Sequence, residues 1–170
     1  PHVLAALAAK VHVLCERPLA LNSRGVERIL TALARAEKMV LVGNNHRFRT
    51  DVQGLDGFVR GGELGRLTAI RAGDYRLRRA RDGWRSRRAE AGGGAFLDLG
   101  VPLLDLALWL TDAPDPVRVS AHMDRGKGSS AVEQGMQVQV SFGNGLSFSC
   151  DVTNDYVGEE ERWWFEVIAT

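Results

Sequence analysis

Two runs of alternating residues joined by Asn144-Gly145 constrain the fold of this chain more tightly than any other feature. Met136, Val138, Val140 and Phe142 are separated by polar residues, and after the turn Leu146, Phe148, Cys150 and Val152 alternate on the way back. A period of two puts one set on a covered face and the other toward solvent. Asn-Gly is a favoured pair for a tight hairpin turn. Residues 136–152 are therefore expected to form an antiparallel hairpin, and strands at 117–121 and 163–168 extend the all-strand region around it.

The earlier part has a different rhythm. Residues 1–9 carry Val3, Leu4, Leu7 and Ala8 at helical spacing, and 11–15 is a short apolar run expected to be a strand covered on both faces. A helix is expected from about Ser23, with Asn22 or Ser23 as N-cap and Val26, Ile29, Leu30 and Leu33 on one face. A second buried strand follows at 39–43. Helix, strand, helix, strand is the rhythm of a parallel α/β sheet.

After a helix over 51–60 and a strand over 67–75, residues 94–110 read as loop and helix. The expected class is α/β then α+β: the second part of a Rossmann-like parallel sheet, then a domain with an open, largely antiparallel sheet. The expected domains are 1–46 and 47–170. Two strands and two helices leave a doubly wound sheet unfinished, and no Gly-x-Gly-x-x-Gly turn follows a strand. The last residues stop in mid-strand, so the sequence is expected to be part of a longer chain.

The 22 basic and 21 acidic residues nearly cancel, which points to neither a nucleic-acid nor a membrane partner. The apolar run 103–110 is far short of the roughly 20 residues that span a bilayer. Cys15 and Cys150 lie far apart without metal-like spacing, as expected of two reduced thiols in a cytoplasmic protein.

Several residues stand out chemically. Asp98 follows Gly92-Gly93-Gly94 and enters a helix. Alone, it reads as an N-cap or first-turn acid. The glycines mark a place where backbone closely approaches either a ligand or a neighbouring helix. Glu16-Arg17-Pro18 ends the first strand, where residues of an open α/β sheet line the ligand crevice; a rigid solvated turn is the alternative. His46, after Asn44-Asn45, ends the second strand.

Seven arginines crowd 76–88 (Arg76, Arg78, Arg79, Arg81, Arg85, Arg87 and Arg88) with Trp84 among them. Arginine and an aromatic suit nucleic acid, but the run is short in a chain that is not otherwise basic. A solvated loop, or Arg85 beside Trp84 reaching a cofactor diphosphate, fits better. Trp163-Trp164 is expected to pack on the core or on a partner subunit, and Trp109 in the core.

Taken together, 5–18, Val42-Gly43-Asn44 with Arg47-Phe48, Gly61-Gly62-Glu63-Leu64-Gly65, Trp84-Arg85 and Gly92 through Asp105 resemble the Gfo/Idh/MocA oxidoreductases in order and spacing. The resemblance implies binding of NAD or NADP, a small sugar, polyol or inositol-like substrate, hydride transfer, and a homo-oligomer built through the C-terminal sheet. It implies cofactor contacts at Glu16, Arg17, Pro18, Asn44, Trp84 and Arg85, substrate contacts at His46, Asp98 and Asp105, and catalytic roles for Arg17 and Asp98.

The family pattern has Glu-Lys-Pro where this chain has Glu16-Arg17-Pro18, and Asp-x-Gly-x-His-x-x-Asp where it has Asp98 through Asp105 with Pro102 in the histidine place. Arg17 stays protonated at any working pH and cannot relay a proton. Pro102 has no titratable group. Asp98 is the base that remains in the family pattern, with His46 as a substitute. A cofactor-binding protein without dehydrogenase chemistry, a sensor or scaffold, is the alternative.

Overall fold

The computed structural model describes residues 2–78, 83–125 and 132–170. They fall into two compact units, Pro1–Asn44 and Asn45–Thr170.

In the first unit α1 (His2–Ala8), β1 (Val13–Cys15), α2 (Ser23–Ala36) and β2 (Val40–Val42) follow one another. Asn22 caps α2, its Oδ1 accepting from Gly25 N at 2.9 Å. β1 and β2 pair in parallel, Val13 opposite Val40 and Cys15 opposite Val42. Val3 and Leu7 of α1 and Ile29 of α2 pack against Val13, Cys15 and Val40.

The strands were expected to be covered on both faces, and here they are not: Leu14 is 76% and Leu41 60% exposed. Both helices pack on the side of Val13, Cys15 and Val40, and the alternation of the strands turns Leu14 and Leu41 the other way.

The second unit opens with a 3₁₀ turn (Asn45–Phe48), then α3 (Thr50–Gly61) and β3 (Leu67–Leu77). A second 3₁₀ turn (Gly83–Ser86) and the single-turn α4 (Arg88–Ala91) lead to a π-helical turn (Phe96–Gly100) continuous with α5 (Val101–Leu110). Four strands complete it: β4 (Pro116–Asp124), β5 (Gly135–Phe142), β6 (Ser147–Tyr156) and β7 (Arg162–Ala169).

The five strands form one sheet in the order β4-β5-β6-β3-β7. β5 and β6 are the expected hairpin, with Asn144 Oδ1 accepting from Leu146 N at 3.0 Å in the turn. Every neighbouring pair is antiparallel except β3 with β6, which run parallel from Ala69 opposite Ser147 to Leu77 opposite Tyr156.

One face of the sheet carries the core. Ile70, Ala72, Val138, Val140, Phe148, Cys150 and Val152 meet Ala95, Leu99, Leu103 and Ala107. Each fully buried Leu or Phe contributes about 1.5–3 kcal/mol relative to exposure, which anchors α5 to the sheet. The stretch Arg88–Leu110 is apolar and long enough to cross a membrane by length and composition alone. Its apolar residues Leu99, Leu103, Leu106, Ala107 and Leu110 are buried inside this unit. Both cysteines are free thiols, and burial pushes Cys150 up to about 12.

Candidate functional site

Each unit contributes its own group of residues. In the first, parallel pairing brings the carboxyl ends of β1 and β2 side by side, with Gly43 N donating to Cys15 O at 2.9 Å. Glu16 to Pro18 and Gly43-Asn44 therefore share one sheet edge. A side chain at Gly43 would place its Cβ 2.9 Å from Glu16 Oε2, so glycine leaves the Glu16 carboxylate room to lie across both strand ends. Arg17 is half-buried between exposed Glu16 and Pro18, and the Arg17-Pro18 peptide is cis.

In the second unit Asp98 sits on the π-helical turn, with its side chain exposed. Val101 N closes this turn on Phe96 O, an i to i+5 bond. Pro102 follows in the first turn of α5, where a proline, lacking its N–H, is best tolerated. Of the two readings its position suggested, N-cap or first-turn acid, Asp98 is the first-turn acid; Ala95 occupies the N-cap place, with no side-chain cap.

The free N–H groups of the helix start go instead to Glu133, only 6% exposed. Its Oε1 accepts from Gly94 N at 2.7 Å and from Phe96 N at 3.2 Å. A carboxylate here satisfies orphan donors and complements the helix dipole. A Cβ at Gly94 would run into the Glu133 backbone. At Gly94, then, the close approach is made by the segment entering β5 and not by a neighbouring helix.

His46 lies on the Asn45–Phe48 turn with its ring edge-on to Trp163, centroids 6.0 Å apart. The Arg49 guanidinium stands 4.1 Å over the same indole. Asp105 receives both arms of Arg47: Nε donates to Oδ2 at 2.8 Å and Nη2 to Oδ1. The turn that carries His46 is thereby tied to α5. These bonds hold Arg47 above its usual pKa, the hydrogen bond to Asp105 more than the attraction of its charge.

Trp84 and Arg85 are exposed on the Gly83–Ser86 turn, the guanidinium 4.6 Å over the indole. Three more of the run are paired: Arg76 with Asp74 and Glu161, Arg78 with Asp155, Arg87 with Glu90. Arg79 and Arg81 lie outside the described residues. Trp163 and Trp164 face opposite sides of β7. Trp163 packs toward the core, while Trp164 lies over Gly73 and edge-on to Tyr75 at 5.0 Å.

Asp74, Asn154 and Glu133 were not singled out from the sequence, yet all three are buried. Asp74 and Asn154 occupy core-facing positions in otherwise apolar alternations. That break in pattern is the signal that could have found them. Burial lifts the Asp74 carboxyl above the usual carboxylate range against the pull of Arg76, and the charges of Glu161 and Asp98 add to the lift. Among the described residues, no cluster of His, Cys, Asp and Glu is arranged to hold a metal ion.

A parallel α/β unit followed by an open mixed sheet matches the two parts of one oxidoreductase family. Residues 1–44 match the oxidoreductase family NAD-binding Rossmann fold, and residues 52–170 match the GFO/IDH/MocA C-terminal domain. The chain belongs to the Gfo/Idh/MocA family.

It is 35% identical over 147 residues to 1,5-anhydro-D-fructose reductase of Ensifer adhaerens, covering 84% of this chain and 43% of the relative. To D-glucoside 3-dehydrogenase of Escherichia coli (strain K12) it is 33% identical over 126 residues, covering 71% of this chain and 35% of the relative. The crystal structure of GenD2 from gentamicin A biosynthesis, in complex with NAD, superposes with a TM-score of 0.89 at 27% identity, over 99% of this chain and 48% of that one. The chain thus spans under half the length of these relatives.

Proposed function

We propose that the protein is an oxidoreductase that transfers hydride between NAD or NADP and a hydroxyl of a sugar, polyol or inositol-like substrate. The observation that carries this reading is the exposed carboxylate of Asp98, held on a rigid π-helical turn at the family's acid position. The named relatives act on an anhydro-sugar and a glucoside, which supports a small polyhydroxylated substrate.

In this reading residues 1–46 belong to the nucleotide-binding domain and 47–170 form the substrate and oligomerisation domain. The residues present fit a nicotinamide nucleotide at one edge: Glu16 offers acceptors for ribose hydroxyls and Arg17 a fixed donor fork, with Pro18 and Asn44 beside them. Bound NAD(P)⁺ would supply the hydride acceptor. Arg17 would clamp nicotinamide and substrate without exchanging protons. Trp84 and Arg85 would help hold the cofactor, the arginine by offering charge-assisted donors to a diphosphate. Asp98 takes the hydroxyl proton, and His46 and Asp105 serve the substrate side, Asp105 by fixing Arg47. The setting is the cytoplasm, where both thiols stay reduced.

The face of the second unit's sheet turned away from α5 supports a homo-oligomer. A cavity of about 630 Å³ opens there, lined by Arg71, Ser120, His122, Gln139, Ser149 and Trp164 among others. Replacing Trp164 by Glu is expected to lower the subunit number read by light scattering, and an unchanged mass removes this interface.

The full-length gene product, mixed with NAD⁺ or NADP⁺ and a panel of sugars and inositols, is expected to develop the reduced-nicotinamide absorbance. A buried proline at the histidine position favours one second reading, a cofactor-binding protein that is catalytically silent. Nucleotide binding with no absorbance change across the panel decides for it.

A further inference from the structure

We propose that Asp74, Asn154 and Trp163 together read hydroxyl groups of a neutral polyol, with Asn154 and Trp163 donating and Asp74 accepting. This rests on the oxidoreductase reading above and deepens it.

Register places the three side by side. Asp74 lies opposite Val152 of β6 and opposite Trp163 of β7. Asn154 follows Val152 by two residues and so shares its face. That face is the one that carries the core through Phe148, Cys150 and Val152. Toward the end of these strands the apolar pattern stops and a carboxylate, an amide and an indole N–H take over.

Two of the three present a buried donor without a hydrogen bond, Asn154 Nδ2 and Trp163 Nε1, and beside them Asp74 Oδ1 has only the Arg76 ion pair. Asn154 is 6% and Asp74 3% exposed. Arg76 Nη2 donates to Asp74 Oδ2 at 2.9 Å. Arg76 Nε lies 2.7 Å from Oδ1 as an ion-pair contact, outside hydrogen-bond geometry, so Oδ1 keeps an acceptor site. Buried polar atoms in folded proteins are nearly always paired. Two orphaned donors beside a carboxylate oxygen with room for a second donor point to a partner that arrives from outside.

The donor and acceptor set defines that partner. A hydroxyl group both donates and accepts, so vicinal hydroxyls satisfy two donors and a carboxylate at once. An apolar ligand would leave both donors orphaned. An anion would meet Asp74, with Asp98 close enough to raise the Asp74 carboxyl further. The nearby cations are already engaged, Arg76 with Asp74 and Glu161, and Arg49 with Asp51. His46 and Arg49 pack against the Trp163 ring, which leaves its N–H edge for recognition.

The test measures equilibrium binding of D-glucose, methyl α-D-glucoside and myo-inositol by calorimetry, with the full-length gene product saturated with NADH. The variants are Trp163→Phe, Asn154→Leu and Asp74→Asn, and NADH affinity and Tm serve as folding controls. Each variant is expected to weaken binding of the preferred sugar roughly tenfold or more, the scale of one lost hydrogen bond, with NADH affinity unchanged. Among the monodeoxy analogues of that sugar, one is expected to bind wild type and Trp163→Phe equally, because it lacks the hydroxyl that the indole reads. Unchanged sugar affinity in Trp163→Phe and Asn154→Leu proteins of native Tm overturns the proposal and leaves the oxidoreductase reading standing. A wild-type protein that binds NADH but no sugar of the panel overturns both.

Discussion

Arg47 and Asp105 join the first turn of the second unit to its central helix through a two-armed ion pair, Nε to Oδ2 at 2.8 Å and Nη2 to Oδ1. Fifty-eight residues separate them in sequence. Both side chains are mostly buried, so this pair is worth more than a surface ion pair. Arg47→Met leaves Asp105 without its fork and is expected to cost about 1–3 kcal/mol. Chemical unfolding checks this, and a loss below a few tenths of a kcal/mol would show that the pair is ornamental.

Glu133 takes the place of an N-cap for the helix that bears Asp98. Glu133→Ala strands the Gly94 and Phe96 N–H groups, and a stability loss of about 1–3 kcal/mol is expected. Glu133→Gln keeps an acceptor but loses the charge, so it is expected to fall between Ala and wild type. Gly94→Ala is expected to be the most harmful of the set, because its Cβ meets the Glu133 backbone. Thermal melts of the three variants give the order, and equal Tm values for Ala and Gln at 133 would discard the charge argument.

Tyr75 donates its hydroxyl to Asp151 Oδ2 at 2.8 Å, and burial, then that bond, raises its pKa from 10.0 to about 12. A group whose folded pKa exceeds its unfolded one lends stability below the unfolded value and loses it as pH rises through the folded value. Wild type is therefore expected to lose its stability advantage over Tyr75→Phe as pH climbs from about 10 to about 12. A difference in unfolding free energy that stays flat across this window would contradict the sign.

Arg17 and Pro102 occupy the two positions where the family pattern carries titratable groups. Restoring both, as Arg17→Lys with Pro102→His, is expected to raise kcat by roughly 10²–10⁴-fold, the usual worth of general acid–base catalysis. Asp98→Asn in the wild-type background is expected to lower kcat with little change in nucleotide affinity. Turnover that Asp98→Asn leaves intact would move the base elsewhere.

Legibility followed locality. The β5–β6 hairpin could be read because alternation and Asn144-Gly145 are adjacent in sequence, and α2 because Asn22 precedes its apolar stripe. The parallel pairing of β3 with β6 left no local mark, since its partners are 78 residues apart at Ala69 and Ser147. The π-helical turn was equally hidden. At its entrance the helix is held by Glu133, a residue from another part of the chain with no motif of its own. Asp98 was legible as an acid at a helix start, but its rank as third residue of a wide turn was not. Exposure of Leu14 and Leu41 escaped notice because an apolar run does not say which side its helices take.

The placement of β3 between β6 and β7 has a consequence during synthesis. Both of its neighbours are translated after it, β6 beginning at Ser147 and β7 at Arg162. While the ribosome works through the intervening residues, β3 has neither edge paired, and its apolar Ile70 and Ala72 wait for partners. Emerging at about 5–20 residues per second, the chain leaves that strand open for several seconds. Chaperone depletion should therefore lower the soluble yield of this protein more than that of one built from sequential hairpins.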